Sequence, residues 1–256
     1  MKIIVYSDLH LEFGTDFKPP KDSDCDLMIL AGDIIVLKDF EPLDRFLEGW
    51  KKPVLYVPGN HEYYSRRPMP EDEAAFRAWL SAHHPYVTLL LNEEITFQGV
   101  NFFGGTMWTN FADADPIAMI VARQNISDFR LIRTTDGELL KPIDTVAFHQ
   151  DFVGKLINWF EKPLTGPRVV ISHHAPVINP HTQYRGSNMT PAFNSLDMPA
   201  IIEQHQPQLW VYGHTHECDR QIVGKTLIVS NQLGYPKPDD GFECEGFDKG
   251  GLQIVV

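Results

Sequence analysis

Residues 1–10, MKIIVYSDLH, contain the first copy of a pattern that recurs along the chain. A continuous apolar run, Ile3–Tyr6, ends abruptly in the polar pair Ser7-Asp8. The runs Leu27–Leu30 and Val54–Val57 repeat this pattern, and each ends at a polar or acidic turn that contains glycine. Apolar runs of four residues are typical of strands that are buried on both faces.

Amphipathic segments separate these strand-like runs. Phe40–Trp50 is one predicted helix, and Glu71–Ala82 is the clearer second one. Glu71–Ala82 has acidic residues in its first turn and places Phe76, Trp79 and Leu80 on one face. The alternation of strands and helices predicts a largely parallel sheet with crossover helices.

The spacing of the elements changes after this region. Val87–Leu91, Ile95–Phe97 and Val100–Phe103 follow one another closely, and Gln98-Gly99 is a typical hairpin turn. We therefore predict a meander of these three runs within a second sheet.

The rest of the chain is predicted to complete a single domain over residues 1–256. Residues 106–143 are irregular and are interpreted as an insertion near one end of the sheet. Thr145–Phe160 has the pattern of a helix. Strand-like runs then resume at Val169–Ile171, Leu209–Tyr212, Thr226–Val229 and Leu252–Val256. The chain has no internal repeat, low-complexity tract or linker that would divide it.

Composition excludes several classes of protein. With 43% hydrophobic, 11% aromatic and 22% charged residues, the 256-residue chain is globular and not disordered. The net charge of −12 argues against broad binding to nucleic acid or to an anionic membrane. No segment approaches the roughly 20 apolar residues of a spanning helix, and no secretory signal is visible. The three cysteines are too few and too scattered for a disulfide framework, so we predict a reduced, cytoplasmic protein.

Five of the strand-like runs end in the same kind of polar residue. The five turns are Ser7-Asp8-Leu9-His10, Gly32-Asp33, Gly59-Asn60-His61-Glu62, His173-His174 and Gly213-His214-Thr215-His216. Because ligands bind outside the carboxyl ends of strands in open α/β sheets, we expect these turns to converge. Their carboxylates, amide oxygen and imidazoles suit Mn, Fe, Zn, Ni or Mg, and the thiolates of a structural zinc site are missing.

These side chains can serve two metal ions only if one carboxylate is shared. Asp8 and Asp33 are the two carboxylates of the set, and Asp33 is the natural bridge because it follows the middle one of the three early strands. Two divalent ions and two carboxylates leave a charge of about +2, which matches a hydroxide and a phosphate ester. In-line displacement at phosphorus uses such a pair of metals, about 3.5–4 Å apart.

Taken together and in this order, the five turns resemble those of the calcineurin-like metallophosphoesterase superfamily, over positions 8 to 216. The resemblance implies a four-layer α/β/β/α sandwich of two mixed β-sheets. It implies one metal on Asp8, His10, Asp33 and His216, and a second metal on Asp33, Asn60, His173 and His214. It also implies a metal-bridging hydroxide as nucleophile and His61 as general acid or transition-state stabiliser. We favour Mn or Fe for the two ions, with Zn, Ni or Mg as the other candidates.

Only one residue of the pair His173-His174 can be a ligand, because neighbours at a strand end point to opposite faces. We favour His173, which directly follows its strand, and expect His174 to line the pocket.

Arginine often binds the phosphate oxygens that metals leave free. The residues predicted to contact substrate are His174, Arg123, Tyr184 and Arg185, and Tyr63, Tyr64, Tyr235, Phe193 and further arginines are weaker candidates. The predicted insertion, residues 106–143, lies near the end of the sheet that carries the five turns and the predicted active site.

The sequence thus predicts a metal-dependent phosphoric ester hydrolase that acts on a small phosphate ester, with a phosphodiesterase favoured over a phosphomonoesterase. Protein phosphatases of the superfamily carry Arg-Gly after the second acidic motif, whereas Ile34-Ile35-Val36 follows Asp33 here. Neither a nucleic-acid polymer nor a membrane is expected as a partner, and no oligomeric state is predicted. The alternative is a non-catalytic interaction scaffold on the same fold. It is disfavoured because a scaffold has no need to keep His61 together with every ligand.

Overall fold

The computed structural model describes residues 1–237 and 241–256. Its strands are β1 (Lys2–Tyr6), β2 (Leu27–Ala31), β3 (Val54–Val57), β4 (Val87–Leu89), β5 (Glu93–Phe97), β6 (Val100–Gly105), β7 (Arg168–Ser172), β8 (Leu209–Val211), β9 (Asp219–Val223), β10 (Thr226–Ser230) and β11 (Leu252–Val255). Its helices are α1 (Glu41–Phe46), α2 (Met69–His83), α3 (Phe111–Ala114), α4 (Pro116–Asn125), α5 (Asp128–Leu131), α6 (Pro142–Phe160), α7 (Thr190–Phe193) and α8 (Met198–His205). Short 3-10 helices cover Leu11–Phe13 and His61–Tyr63.

The strands form two mixed sheets. The first has the order β11-β1-β2-β3-β4, in which β1 to β4 are parallel and β11 is antiparallel to β1. The second has the order β5-β6-β7-β8-β10-β9, in which β6, β7, β8 and β10 are parallel and the edge strands β5 and β9 are antiparallel. The carboxyl ends of β1, β2, β3, β7 and β8 therefore carry the five polar turns.

Three apolar clusters hold these sheets between layers of helices. Alternate residues of β1 face different layers, since side chains alternate along a strand. Ile4 and Tyr6 join Phe46 and Phe76 of α1 and α2 on the outer face of the first sheet. Ile3 and Val5 pack between the two sheets, in a cluster that includes residues of β6, β7 and β8.

The outer face of the second sheet is covered in the same way. Phe152 and Trp159 of α6 and Ile202 of α8 pack against Val170 and Trp210 of the sheet. The order of layers is therefore helices, sheet, sheet, helices, which confirms the predicted four-layer α/β/β/α sandwich. The described part of the chain has no helix that could cross a bilayer.

The predicted three-run meander is wrong in its first strand. β4, from the predicted run Val87–Leu91, pairs in parallel with β3 in the first sheet. Helix α2 carries the chain back between these strands, and such a crossover produces a parallel pair. The hairpin around Gln98-Gly99 consists of β5 and β6 alone and lies in the second sheet.

Three further segments differ from the sequence prediction. The helix predicted over Phe40–Trp50 is reduced to Glu41–Phe46. Strand β9 has no counterpart among the predicted strands, because an edge strand that is half exposed lacks a continuous apolar run. The irregular segment 106–143 contains α3, α4 and α5, and its apolar residues form a separate cluster with Tyr63 beside the polar turns.

Candidate metal centre

The polar turns have an unusual backbone. Asp8, His10, Asp33, His214 and His216 all have positive φ angles, between 44° and 72°. This left-handed region costs a residue other than glycine about 1–2 kcal/mol. Strained residues of this kind concentrate at functional sites, where the surrounding structure holds them in place.

The first group of donors contains Asp8, His10, Asp33 and His216, with one donor atom of each within 4.8 Å of the others. His10 Nε2 lies 3.1 Å from His216 Nε2. The same nitrogen of His10 lies 3.9 Å from Asp33 Oδ2, and His216 Nε2 lies 3.5 Å from Asp8 Oδ1. Two carboxylates and two imidazoles therefore face one small space.

The other nitrogen of each imidazole is engaged by a carboxylate. His10 Nδ1 lies 3.2 Å from Glu12 Oε1, and His216 Nδ1 lies 2.5 Å from Glu243 Oε2. A carboxylate can only accept, so each Nδ1 carries a hydrogen and Nε2 is the atom that can bind a metal. The two Nε2 atoms lie 3.1 Å apart beside the oxygens of Asp8 and Asp33, so this group fits a metal ion.

The second group contains Asp33, His173 and His214. His173 Nε2 lies 3.3 Å from Asp33 Oδ1 and 3.2 Å from His214 Nδ1. It also lies 3.1 Å from Asn60 Oδ1. His173 Nδ1 donates to the carbonyl of Ala31, so its Nε2 is free to bind a metal. Asp33 belongs to both groups and turns one oxygen toward each.

The predicted insertion orients Asn60. Asp128 of α5 is buried and accepts from Asn60 Nδ2 at 2.8 Å and from the Tyr64 hydroxyl at 2.5 Å. This bond fixes the amide so that Asn60 Oδ1 faces His173. Burial raises the pKa of Asp128 above its usual value, whereas its bonds to Tyr64 and Asn60 act in the opposite direction.

His174 lies outside both donor groups. Its Nδ1 donates to the carbonyl of Thr106 at 3.3 Å, and its ring lies 4.1 Å from the ring of His214 and 5.2 Å from that of Trp108. Burial and the neighbouring His173 hold the pKa of His174 well below its usual value. His174 therefore packs behind a candidate ligand, away from the cavity where substrate contact was expected.

A cavity of about 780 Å³ opens beside the donor groups. Among the residues predicted to contact substrate, Tyr184 lines this cavity and Arg123, Arg185 and His174 do not. Arg185 donates to the carbonyl of Pro180 within its own loop. Arg123 was predicted from its place in the insertion and Arg185 from its place in a loop, but neither side chain is part of the cavity lining.

His61 lies at the boundary between the donor groups and the cavity. Its Nδ1 donates to Glu12 Oε1 at 3.2 Å, and its Nε2 lies 2.9 Å from the hydroxyl of Tyr235. Burial opposes the charged form, but the carboxylates of Asp33 and Glu12 outweigh it and raise the pKa of His61 to about 9. The two carboxylates thus favour the charged imidazole, which is held at both nitrogens.

Glu62 is a fully buried residue to which the sequence assigned no role. Its two oxygens accept from the backbone N–H groups of Asp33, Ile34 and Gly59 at 2.7–2.9 Å, and from the hydroxyl of Tyr56 at 2.6 Å. Burial and the nearby Asp33 raise the pKa of Glu62 to about 7. One carboxylate thus joins the turn after β2 to the turn after β3.

Comparison with known proteins identifies the family. A family model described as calcineurin-like phosphoesterase matches residues 1–218. The chain belongs to this family. It is 28% identical over 277 residues to the uncharacterized protein L509 of Acanthamoeba polyphaga mimivirus, with 94% of each chain covered.

Two solved structures have a similar fold. Phosphopantetheinyl hydrolase (PptH) from Mycobacterium tuberculosis is 18% identical, with a TM-score of 0.66, over 92% of this chain and 90% of that chain. The protein TT1561 from Thermus thermophilus is 14% identical, with a TM-score of 0.56, over 90% and 88%. Family membership and the donor groups support metal-dependent hydrolysis of phosphoesters.

Replacing Glu62 tests the link between the two turns. Glu62→Gln puts an amide NH₂ against backbone donors, so buried N–H groups lose their acceptor, at about 1–3 kcal/mol each. We expect urea unfolding to show a loss of about 2–4 kcal/mol and metal titration to show weaker binding. Tyr56→Phe removes only one of the four bonds and is expected to cost about 1 kcal/mol. Equal stability of Glu62→Gln and the unaltered protein would contradict this role.

Proposed function

We propose that the protein is a phosphodiesterase with a dinuclear metal site. The observation that carries the proposal is the position of Asp33, whose Oδ2 faces His10 and whose Oδ1 faces His173. A carboxylate placed between two donor groups is suited to bridge two ions. When bound, such a pair of ions supplies a hydroxide at neutral pH and neutralises phosphoryl oxygens.

The chain would hold these ions with the residues of the two groups. Asp8, His10, Asp33 and His216 would hold one ion, and Asp33, Asn60, His173 and His214 would hold the other. The donors are oxygen and imidazole nitrogen, which suits Mn or Fe and also Zn, Ni or Mg. Glu12, Glu243 and Asp128 fix the orientation of His10, His216 and Asn60.

His61 is proposed to assist the departure of the leaving group. Glu12 holds the ring through Nδ1, which leaves the Nε2 proton directed toward the cavity. The hydroxyl of Tyr235 accepts from this nitrogen when the imidazole is charged. A proton held at this position can be given to the oxygen of a departing alcohol as the bond to phosphorus breaks.

The size of the cavity favours a diester. A volume of about 780 Å³ is in the range that holds a whole organic ligand and exceeds the needs of a single phosphoryl group. Tyr184, Tyr235 and Phe193 line it and offer faces on which an organic group can pack. A substrate with ester groups on both sides of phosphorus would use this space.

The first test compares bis-p-nitrophenyl phosphate with p-nitrophenyl phosphate, using metal-stripped protein with Mn²⁺ added back or withheld. We expect release of p-nitrophenol from both esters only with metal, and faster release from the diester. Faster cleavage of the monoester would overturn the preference. Absence of cleavage of either ester by protein with metal bound would favour the non-catalytic scaffold.

Substitution of Asp33 tests the shared ligand. Asp33→Ala is expected to lower the metal content from about two ions per chain to nearly none, because both groups lose a carboxylate. Asp8→Ala, which affects one group, is expected to keep about one ion. Metal content is measured by elemental analysis of purified protein. Retention of two ions by Asp33→Ala would rule out the bridge.

Substitution of His61 tests the leaving-group role. His61→Ala is expected to keep its metal and to lower kcat by about 10²–10⁴ for an alkyl diester, whose leaving group needs a proton. The loss should be smaller for a p-nitrophenyl diester, because p-nitrophenolate departs readily without one. An equal loss for both substrates, with the metal content unchanged, would contradict proton donation by His61.

A further inference from the structure

The wall of the cavity bears directly on the charge of the substrate. Among the described residues that line it there is no lysine and no arginine. The apolar part of the lining includes Phe13, Ile126, Ile178, Met189 and Phe193. An anionic group that enters such a space loses its hydration and finds no cationic partner in the described wall.

Apart from histidines, the ionisable acidic and basic side chains in the described lining are carboxylates, and among them only Glu217 has no contact with the candidate ligands. Glu217 Oε1 accepts from the backbone N–H of Gln183, and Glu243 accepts from the backbone N–H of Tyr235 as well as from His216. These carboxylates lie on the side of the cavity that Tyr184 and Tyr235 border. Their field attracts cations and repels anions.

Three arginines close in sequence to the lining do not change this charge balance, and the first of them, Arg123, is exposed and is not part of the lining. Arg185 donates to the carbonyl of Pro180, and Arg130 donates to the carbonyl of Gln124 and to the hydroxyl of Ser127. Neither side chain is part of the cavity lining. Arginine is the side chain that usually binds a second phosphate or a carboxylate, and the described wall of the cavity contains none.

We infer that the substrate is a phosphodiester whose organic arm in this cavity carries no negative charge. This inference rests on the proposed phosphodiesterase function and narrows it. It excludes esters of nucleoside polyphosphates and arms that end in a carboxylate or a second phosphate. It favours arms with hydroxyl, amide or apolar groups, which the tyrosines and the apolar wall can contact.

A matched pair of substrates tests the inference. p-Nitrophenyl 2-methoxyethyl phosphate and p-nitrophenyl carboxymethyl phosphate have the same leaving group and arms of similar size, and differ by one negative charge. The methoxy group has no hydroxyl that could attack phosphorus within the same molecule. With the metal-loaded protein we expect kcat/KM to be about tenfold higher for the methoxyethyl ester. The ratio should fall as salt is added, because salt screens the repulsion.

Binding supplies a second measurement that does not depend on turnover. Metal-loaded His61→Ala should bind the methoxyethyl ester several times more tightly than the carboxymethyl ester in a calorimetric titration. Glu217→Gln retains an oxygen that can accept from Gln183 and removes one negative charge from the wall. This variant is expected to raise kcat/KM for the carboxymethyl ester about threefold more than for the methoxyethyl ester.

The control variant is Glu203→Gln, which removes the same charge from an exposed position on α8 outside the cavity. It is expected to leave the ratio between the two esters unchanged. Equal or better cleavage of the carboxymethyl ester by the unaltered protein would overturn the inference while leaving the phosphodiesterase proposal intact. Failure to cleave either ester, together with failure on bis-p-nitrophenyl phosphate, would instead count against the proposed function.

Discussion

The candidate site depends on one buried carboxylate, that of Glu62. It accepts hydrogen bonds from backbone N–H groups in the turn after β2 and in the turn after β3, and these bonds fix the backbone that carries Asp33. The two turns approach so closely that a Cβ atom at Gly59 would overlap Asp33 Oδ1, which explains the glycine there. A single side chain in one motif thereby sets the geometry of Asp33, the proposed shared ligand, in another motif.

The sequence predicted the four layers only through its resemblance to a known family, whereas the continuous apolar runs by themselves predicted most of the buried strands. The same runs located the turns that carry Asp8, Asp33 and His214, since parallel strands end at one edge. The sequence could not place β4 in the correct sheet, because a short apolar run does not reveal which strand it pairs with. Asp128 was missed for a related reason, because it is 68 positions away from the amide that it orients.

The predictions of substrate-contacting residues had the weakest physical basis. Arg123 and Arg185 were chosen for their chemistry and their place between motifs, yet neither lines the cavity. Tyr184, chosen in the same way, does line it. Residues in loops are placed by the packing of the whole domain, so their residue type and order along the chain do not determine where their side chains point.

The left-handed backbone at Asp8, His10, Asp33, His214 and His216 has a consequence for how such a site can arise. A short peptide with the sequence of one of these turns would relax into an ordinary extended or helical conformation and lose the arrangement of its donors. The motifs therefore cannot be transplanted singly onto another scaffold. The two sheets must come with them, because the domain as a whole supplies the energy that keeps each turn in its unfavourable conformation.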